Sequence, residues 1–192
     1  MKASVSALTL WIVGCAWAGS ATAQPRAIDA AKSVMTVRVY KSGLLSAFGH
    51  NHEIAAPIDS GKVNVASHEV ELHVQARAMQ VRDAGVSDKE RTEIGSTMLG
   101  PEVIDAERHS EIIFRSSSAE QAGPGGWRVV GRLTLHGQTR TVTVEVREDG
   151  DHYVGTSRFK LTEFGIQPIK VAGGTVKVKD EILIEFNIQL AR

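Results

Sequence analysis

The residues whose chemistry and spacing draw attention first are His50 and His52, separated by Asn51. In extended backbone, residues two apart point to the same side, so both imidazoles would face one ligand or one metal ion. Two imidazoles alone make an incomplete zinc site, because zinc takes three or four donors and the only cysteine is Cys15. His109 and His136 are the candidates to complete it. The alternative, adopted here as the expectation, is that these histidines hydrogen-bond the fold or the polar end of a ligand, with no metal and no cofactor. A second polar run, Asp105-Ala106-Glu107-Arg108-His109, precedes the segment containing Phe114; Asp and Arg in a connection more often fix a loop than move protons. No Gly-x-Ser-x-Gly, phosphate loop, dinucleotide fingerprint or His-Glu-x-x-His is present. No catalytic residue is therefore assigned, and a binding role is expected over an enzymatic one.

The elements that must position these groups alternate with a period of two, the mark of strands with one buried face. Val70, Leu72 and Val74 alternate with Glu71, His73 and Gln75, and Val142, Val144 and Val146 with Thr143 and Glu145. Ile182, Ile184, Phe186 and Ile188 alternate with Glu181, Glu185 and Asn187, with Leu183 as an apolar intruder on the polar face. Runs at 35–40, 63–65, 111–116, 127–135 and 156–161 bring the expectation to about eight strands. Turn residues at Gly123-Pro124-Gly125-Gly126, His136-Gly137-Gln138, Asp149-Gly150-Asp151 and Gly173-Gly174 separate successive runs, so the strands form an antiparallel meander. Such an all-β chain either stacks as a sandwich or closes into a barrel. One helix interrupts the pattern. Ser87-Asp88-Lys89-Glu90 reads as a capping box, and Gly100-Pro101 ends a helix spanning roughly 87–99. Its Ile94, Thr97 and Met98 would share one face, which either covers an open end of the barrel or packs outside the sheet.

Composition narrows the function classes. The 22 basic and 22 acidic side chains balance, and aromatics are 5% of the chain, so there is neither the basic surplus nor the stacking surface that nucleic-acid binding requires. Residues 3–18 are uncharged and apolar or small, and Ala21-Thr22-Ala23 matches a signal-peptidase site. A Sec-type leader cleaved after Ala23 is expected, leaving one domain over 24–192 in the periplasm with no transmembrane segment. Ile12-Val13-Gly14-Cys15 offers a rival route, in which Cys15 is lipidated and anchors the protein.

Five stretches, in order along the chain, carry a resemblance to a known family. They are Phe48-Gly49-His50-Asn51-His52, the segment from Leu99 through Asp105 and His109 to Ser116, Gly131 through Arg140, Arg158 through Ile166, and Val178-Lys179-Asp180-Glu181. Together they resemble the YceI-like family, departing from its pattern at Ser110 and Thr141. The resemblance implies a lipocalin-like antiparallel barrel that holds a polyisoprenoid or fatty-acid-like lipid in its lumen. On that reading His50 and His52 meet the polar end, while Phe48, Met98, Leu99, Phe114, Leu135, Phe159, Phe164 and Ile166 form the apolar wall. Exposed strand edges and an open mouth leave room for a homodimer.

Overall fold

The computed structural model describes residues 24–42, 51–171 and 176–192. The leader, both candidate cleavage features, Phe48, His50 and the Gly173-Gly174 turn lie outside the described residues.

A single antiparallel sheet curls through the described chain. Its strands are β1 (Arg26–Ala27), β2 (Val34–Ser42), β3 (His52–Ala55), β4 (Ile58–Asn64), β5 (Glu69–Gln75), β6 (Gln80–Val81), β7 (Glu111–Gln121), β8 (Gly126–Leu135), β9 (Gln138–Asp149), β10 (His152–Lys160), β11 (Lys170–Val171) and β12 (Val176–Gln189). The long strands pair in the order β5-β7-β8-β9-β10-β12-β2, and only Ala56 and Pro57 separate β3, paired with β2, from β4, paired with β5. Proline has no amide hydrogen to give a ladder, so the chain bends there and continues onto the other edge, joining the sheet to itself as a barrel. β1 fills the remaining gap at one end: it pairs with β4, and Ile28 bridges to Leu190 beyond β12.

The eight expected runs all fall on strands, several longer than the alternation alone indicated, except that Val65 lies in the turn after β4 and Leu161 opens a 3-10 turn after β10. Leu183 is buried although it lies on the outer face. In register it sits between Arg158 of β10 and Arg38 of β2, whose aliphatic stems can cover it while the charged ends stay wet.

Two irregularities set which side chains face inward. In β7 one extra residue between Ser116 and Ser118 switches the inward set from Ile112 and Phe114 to Ala119. In β12 the register shifts between Val178 and Ile182. The shifted stretch presents Asp180, whose carboxylate accepts from the Thr162 amide at 2.9 Å and the Thr162 hydroxyl at 2.7 Å. That cap holds the 3-10 turn Leu161–Phe164, which Gly165 ends at φ 78°, a conformation that favours glycine.

The helix α1 (Asp88–Leu99) begins with the expected capping box, Ser87 and Glu90 satisfying each other's backbone amides. After Gly100 the chain doubles back, so that the amides of Ile104 and Ala106 bond the carbonyls of Met98 and Leu99. Asp105 holds this reversal at φ 51°, which Asp tolerates better than most residues.

Candidate binding site in the barrel lumen

The inward face is hollow. A cavity of about 740 Å³ runs inside the sheet, a size typical of small-molecule sites. Alternate residues of every long strand line it: Met35, Val37 and Val39 from β2, Val70, Leu72 and Val74 from β5, Val142, Val144 and Val146 from β9, and Ile182, Ile184, Phe186 and Ile188 from β12. Trp127 and Leu135, at opposite ends of β8, both touch it. Eight residues at about 3.3 Å each, tilted as barrel strands are, give a lumen about 20 Å long.

Glycines keep the lumen from filling. A Cβ at Gly131 would collide with the Phe114 ring, and one at Gly155 with the Phe186 ring. Each ring therefore lies against the wall over a missing side chain and leaves the axis free.

Polar groups collect at the two ends. Near one, His52 Nδ1 donates to Asp83 Oδ2 at 2.6 Å. Asp83 is buried and also accepts from the Glu53 amide at 2.6 Å, while its own carbonyl accepts from Arg91 of α1 at 3.1 Å. The ring is thus oriented by a fixed carboxylate, with Nε2 left for a ligand. Lys41, Glu90, Glu93 and Gln167 line the lumen at the same end, where Ile94, Thr97 and Met98 of α1 also face it. The helix lines the lumen, resolving the two placements left open by sequence. At the other end His68 and Trp127 approach with ring centroids 4.0 Å apart, and Glu148 lines the cavity as an exposed carboxylate.

Of the residues expected to contact a ligand, the structure places His52, Met98, Phe114, Leu135, Phe159 and Ile166 on the lumen wall. Leu99 and Phe164 are not on it, which corrects the expectation. Leu99 packs into the main core beside Met98, because adjacent helix residues point in different directions. Phe164 is fully buried in a solid cluster with Leu135, Val142 and Ile166, its ring edge-on to Phe159 at 5.2 Å. The histidines proposed to complete a metal site with His52 gather elsewhere: His109 and His136 lie with Asp105.

Sequence reasoning missed Asp83, His68 and Trp127. Asp83 is 31 positions from His52, and its signal, an Asp-Ala-Gly run at 83–85, reads only as a turn. His68 is in a hairpin turn at φ 55°, where nothing local foretells contact with Trp127.

An antiparallel sheet curled around an apolar chamber, with a helix at one end, defines the class of lipocalin-like β-barrels. Residues 27–190 match the YceI-like domain model, and the chain belongs to that family. A UPF0312 protein of Vibrio cholerae is 29% identical over 132 residues, and one of Vibrio parahaemolyticus is 30% identical over 132. These matches span 64% of this chain and 64% of the relatives' own length. Among solved structures, Burkholderia cenocepacia BcnA superposes with a TM-score of 0.65 at 22% identity, covering 86% of this chain and 99% of that one. Campylobacter jejuni YceI gives 0.50 at 11% identity, covering 79% and 84%. These structural likenesses concern the fold. Among the described residues no helix is long and apolar enough to cross a membrane.

Proposed function

We propose that this protein is a periplasmic carrier or sequestering factor that holds one elongated apolar molecule, a polyisoprenoid or fatty-acid-like lipid, along the barrel axis. The observation that carries this reading is the lumen of about 740 Å³, lined almost wholly by aliphatic and aromatic side chains with polar groups confined to its ends. Each methylene moved from water into such a chamber contributes about 0.8 kcal/mol, so chain length supplies the affinity. The polar end of the ligand lies at the mouth, where Asp83 orients His52 to offer Nε2. Ser157 contributes no free hydroxyl, since it donates to the Thr143 carbonyl at 2.8 Å. The periplasmic assignment rests on Ala21-Thr22-Ala23, and N-terminal sequencing of protein recovered from the envelope is expected to begin at Gln24.

Native mass spectrometry of gently purified protein tests the binding reading. A reproducible mass excess that organic extraction releases as a lipid is the expected outcome. Protein that is empty as isolated and takes up neither a long-chain fatty acid nor a polyprenol would contradict it. A second reading, a small polar ligand held through His52, draws on the same Asp83 contact; it predicts that His52→Ala abolishes binding rather than weakening it.

A further inference from the structure

Outside the lumen, three residues brought together at the end of the β8–β9 hairpin have donor chemistry that the fold uses only in part. Ligand atoms of Asp105, His109 and His136 all lie within 4.8 Å of one another. Each is fixed by the local backbone. Asp105 is held by the reversal after α1, and its carbonyl accepts the amides of Arg108 and His109 at 3.0 and 2.8 Å, which sets where His109 emerges. His136 occupies the first turn position of the hairpin at φ 50°, followed by Gly137 at φ 68°. A Cβ on Gly137 would come within 3.0 Å of both His109 ring nitrogens, so only glycine lets that imidazole lie against the hairpin. The two imidazoles meet edge to face, centroids 5.4 Å apart.

Hydrogen bonding at His136 also suits coordination. His136 Nδ1 bonds the Phe164 carbonyl at 3.3 Å. A carbonyl only accepts, so Nδ1 carries a hydrogen, and in the neutral ring Nε2 keeps its lone pair, the arrangement in which a backbone oxygen orients a metal-binding histidine. Asp105 is buried, yet the one ion pair its carboxylate makes among the described residues is with the exposed Arg108 guanidinium at 3.7 Å. Among the described residues neither imidazole completes its bonding. The three groups are close enough to share an ion and too far apart to satisfy one another.

We propose that Asp105, His109 and His136 bind one divalent transition-metal ion of the zinc or copper type, clasping the connection after α1 to the β8–β9 hairpin. Two imidazoles and a carboxylate suit these borderline ions, and three protein ligands leave a position for water. Ligand atoms around a tetrahedral ion stand about 3.3 Å apart, so filling the site draws the groups together by about an ångström. The site stands independently of what the lumen holds.

Calorimetric titration of the metal-free protein with zinc chloride, and separately with copper sulfate, tests it. One equivalent is expected to bind saturably, with affinity falling at least about tenfold in His109→Gln, His136→Asn and Asp105→Asn, and unchanged in His73→Gln. Asn is chosen at 105 and 136 because it tolerates the left-handed backbone there. Thermal melts without metal identify any variant that fails to fold. For the unaltered protein, copper electron paramagnetic resonance is expected to report two coordinated imidazole nitrogens. Absence of saturable binding, equal affinity in the folded variants, or a copper spectrum without two nitrogen ligands overturns the proposal.

Discussion

Two apolar regions of this barrel are built from the same kinds of side chain, and one is solid where the other is hollow. The cluster of Leu135, Val142, Phe164 and Ile166 is solid behind the lumen wall to which three of its members belong: Phe164 has no exposed surface and Ile166 almost none. Two and four residues beyond Val142 along β9, Val144 and Val146 point inward with Ile184 and Phe186 of β12 and surround open space. The difference lies in backbone devices, since residue type is shared. At the solid end, Asp180 caps the Leu161–Phe164 turn and Gly165 reverses the chain, driving Phe164 into the gap between β8, β9 and β10. Along the hollow stretch no described segment crosses the barrel, and Gly131 and Gly155 let the two large rings fold back against the wall.

Breaking the solid region should have the largest effect. Phe164→Ala removes a fully buried ring with little room for the surroundings to collapse, and is expected to cost about 3–5 kcal/mol in denaturant unfolding. In Gly155→Ala the new methyl meets the Glu145 carbonyl oxygen of β9 as well as the Phe186 ring, with an expected loss of about 1–3 kcal/mol. If the comparison holds, this variant also loses lipid affinity, because the displaced ring enters the lumen. Filling the hollow region directly, with the Val144→Phe/Ile184→Phe pair, is expected to change stability by less than about 1.5 kcal/mol while weakening lipid binding at least tenfold. A destabilisation as large as that of Phe164→Ala would mean that the lumen is in effect an ordinary core.

The smallest effect lies on the outer wall. Glu71 accepts from His73 at 3.0 Å and pairs with Lys62 at 3.0 Å and Arg115 at 2.7 Å. These partners, His73 foremost, hold its carboxyl down from 4.5 to about 2. Because the folded value lies below the unfolded one, this stabilisation is complete above about pH 4.5 and is lost as pH falls towards 2. Urea midpoints measured across that window should fall slightly less in Glu71→Gln than in the unaltered protein. The difference is small because solvent reaches the Glu71 side chain and screens its pairs.

Much of the fold was legible because a half-buried strand writes its burial into every second residue, as in Val70 to Val74 and Ile182 to Ile188. The helix was legible through the Ser87 and Glu90 box. The site was less so. The family resemblance points Phe114, Leu135 and Phe159 to the wall, where they lie, but it does not tell wall from plug, and Phe164, positioned by a 3-10 turn capped from β12, packs behind the wall. Likewise His52 was visible as a polar candidate, whereas its partner Asp83 is reached only by folding β6 beside β3.

The central claim, a hollow lumen that takes a single apolar chain, is most directly tested through Trp127. It lines the cavity, and the other two tryptophans, Trp11 and Trp17, fall within the expected leader. Delipidated protein lacking residues 1–23 is titrated with a long-chain fatty acid or a polyprenol while Trp127 emission is followed. A spectral shift that saturates at one equivalent, and is lost in the Val144→Phe/Ile184→Phe variant, is the predicted result. No saturable shift with either lipid, or an identical shift in the filled variant, would contradict it.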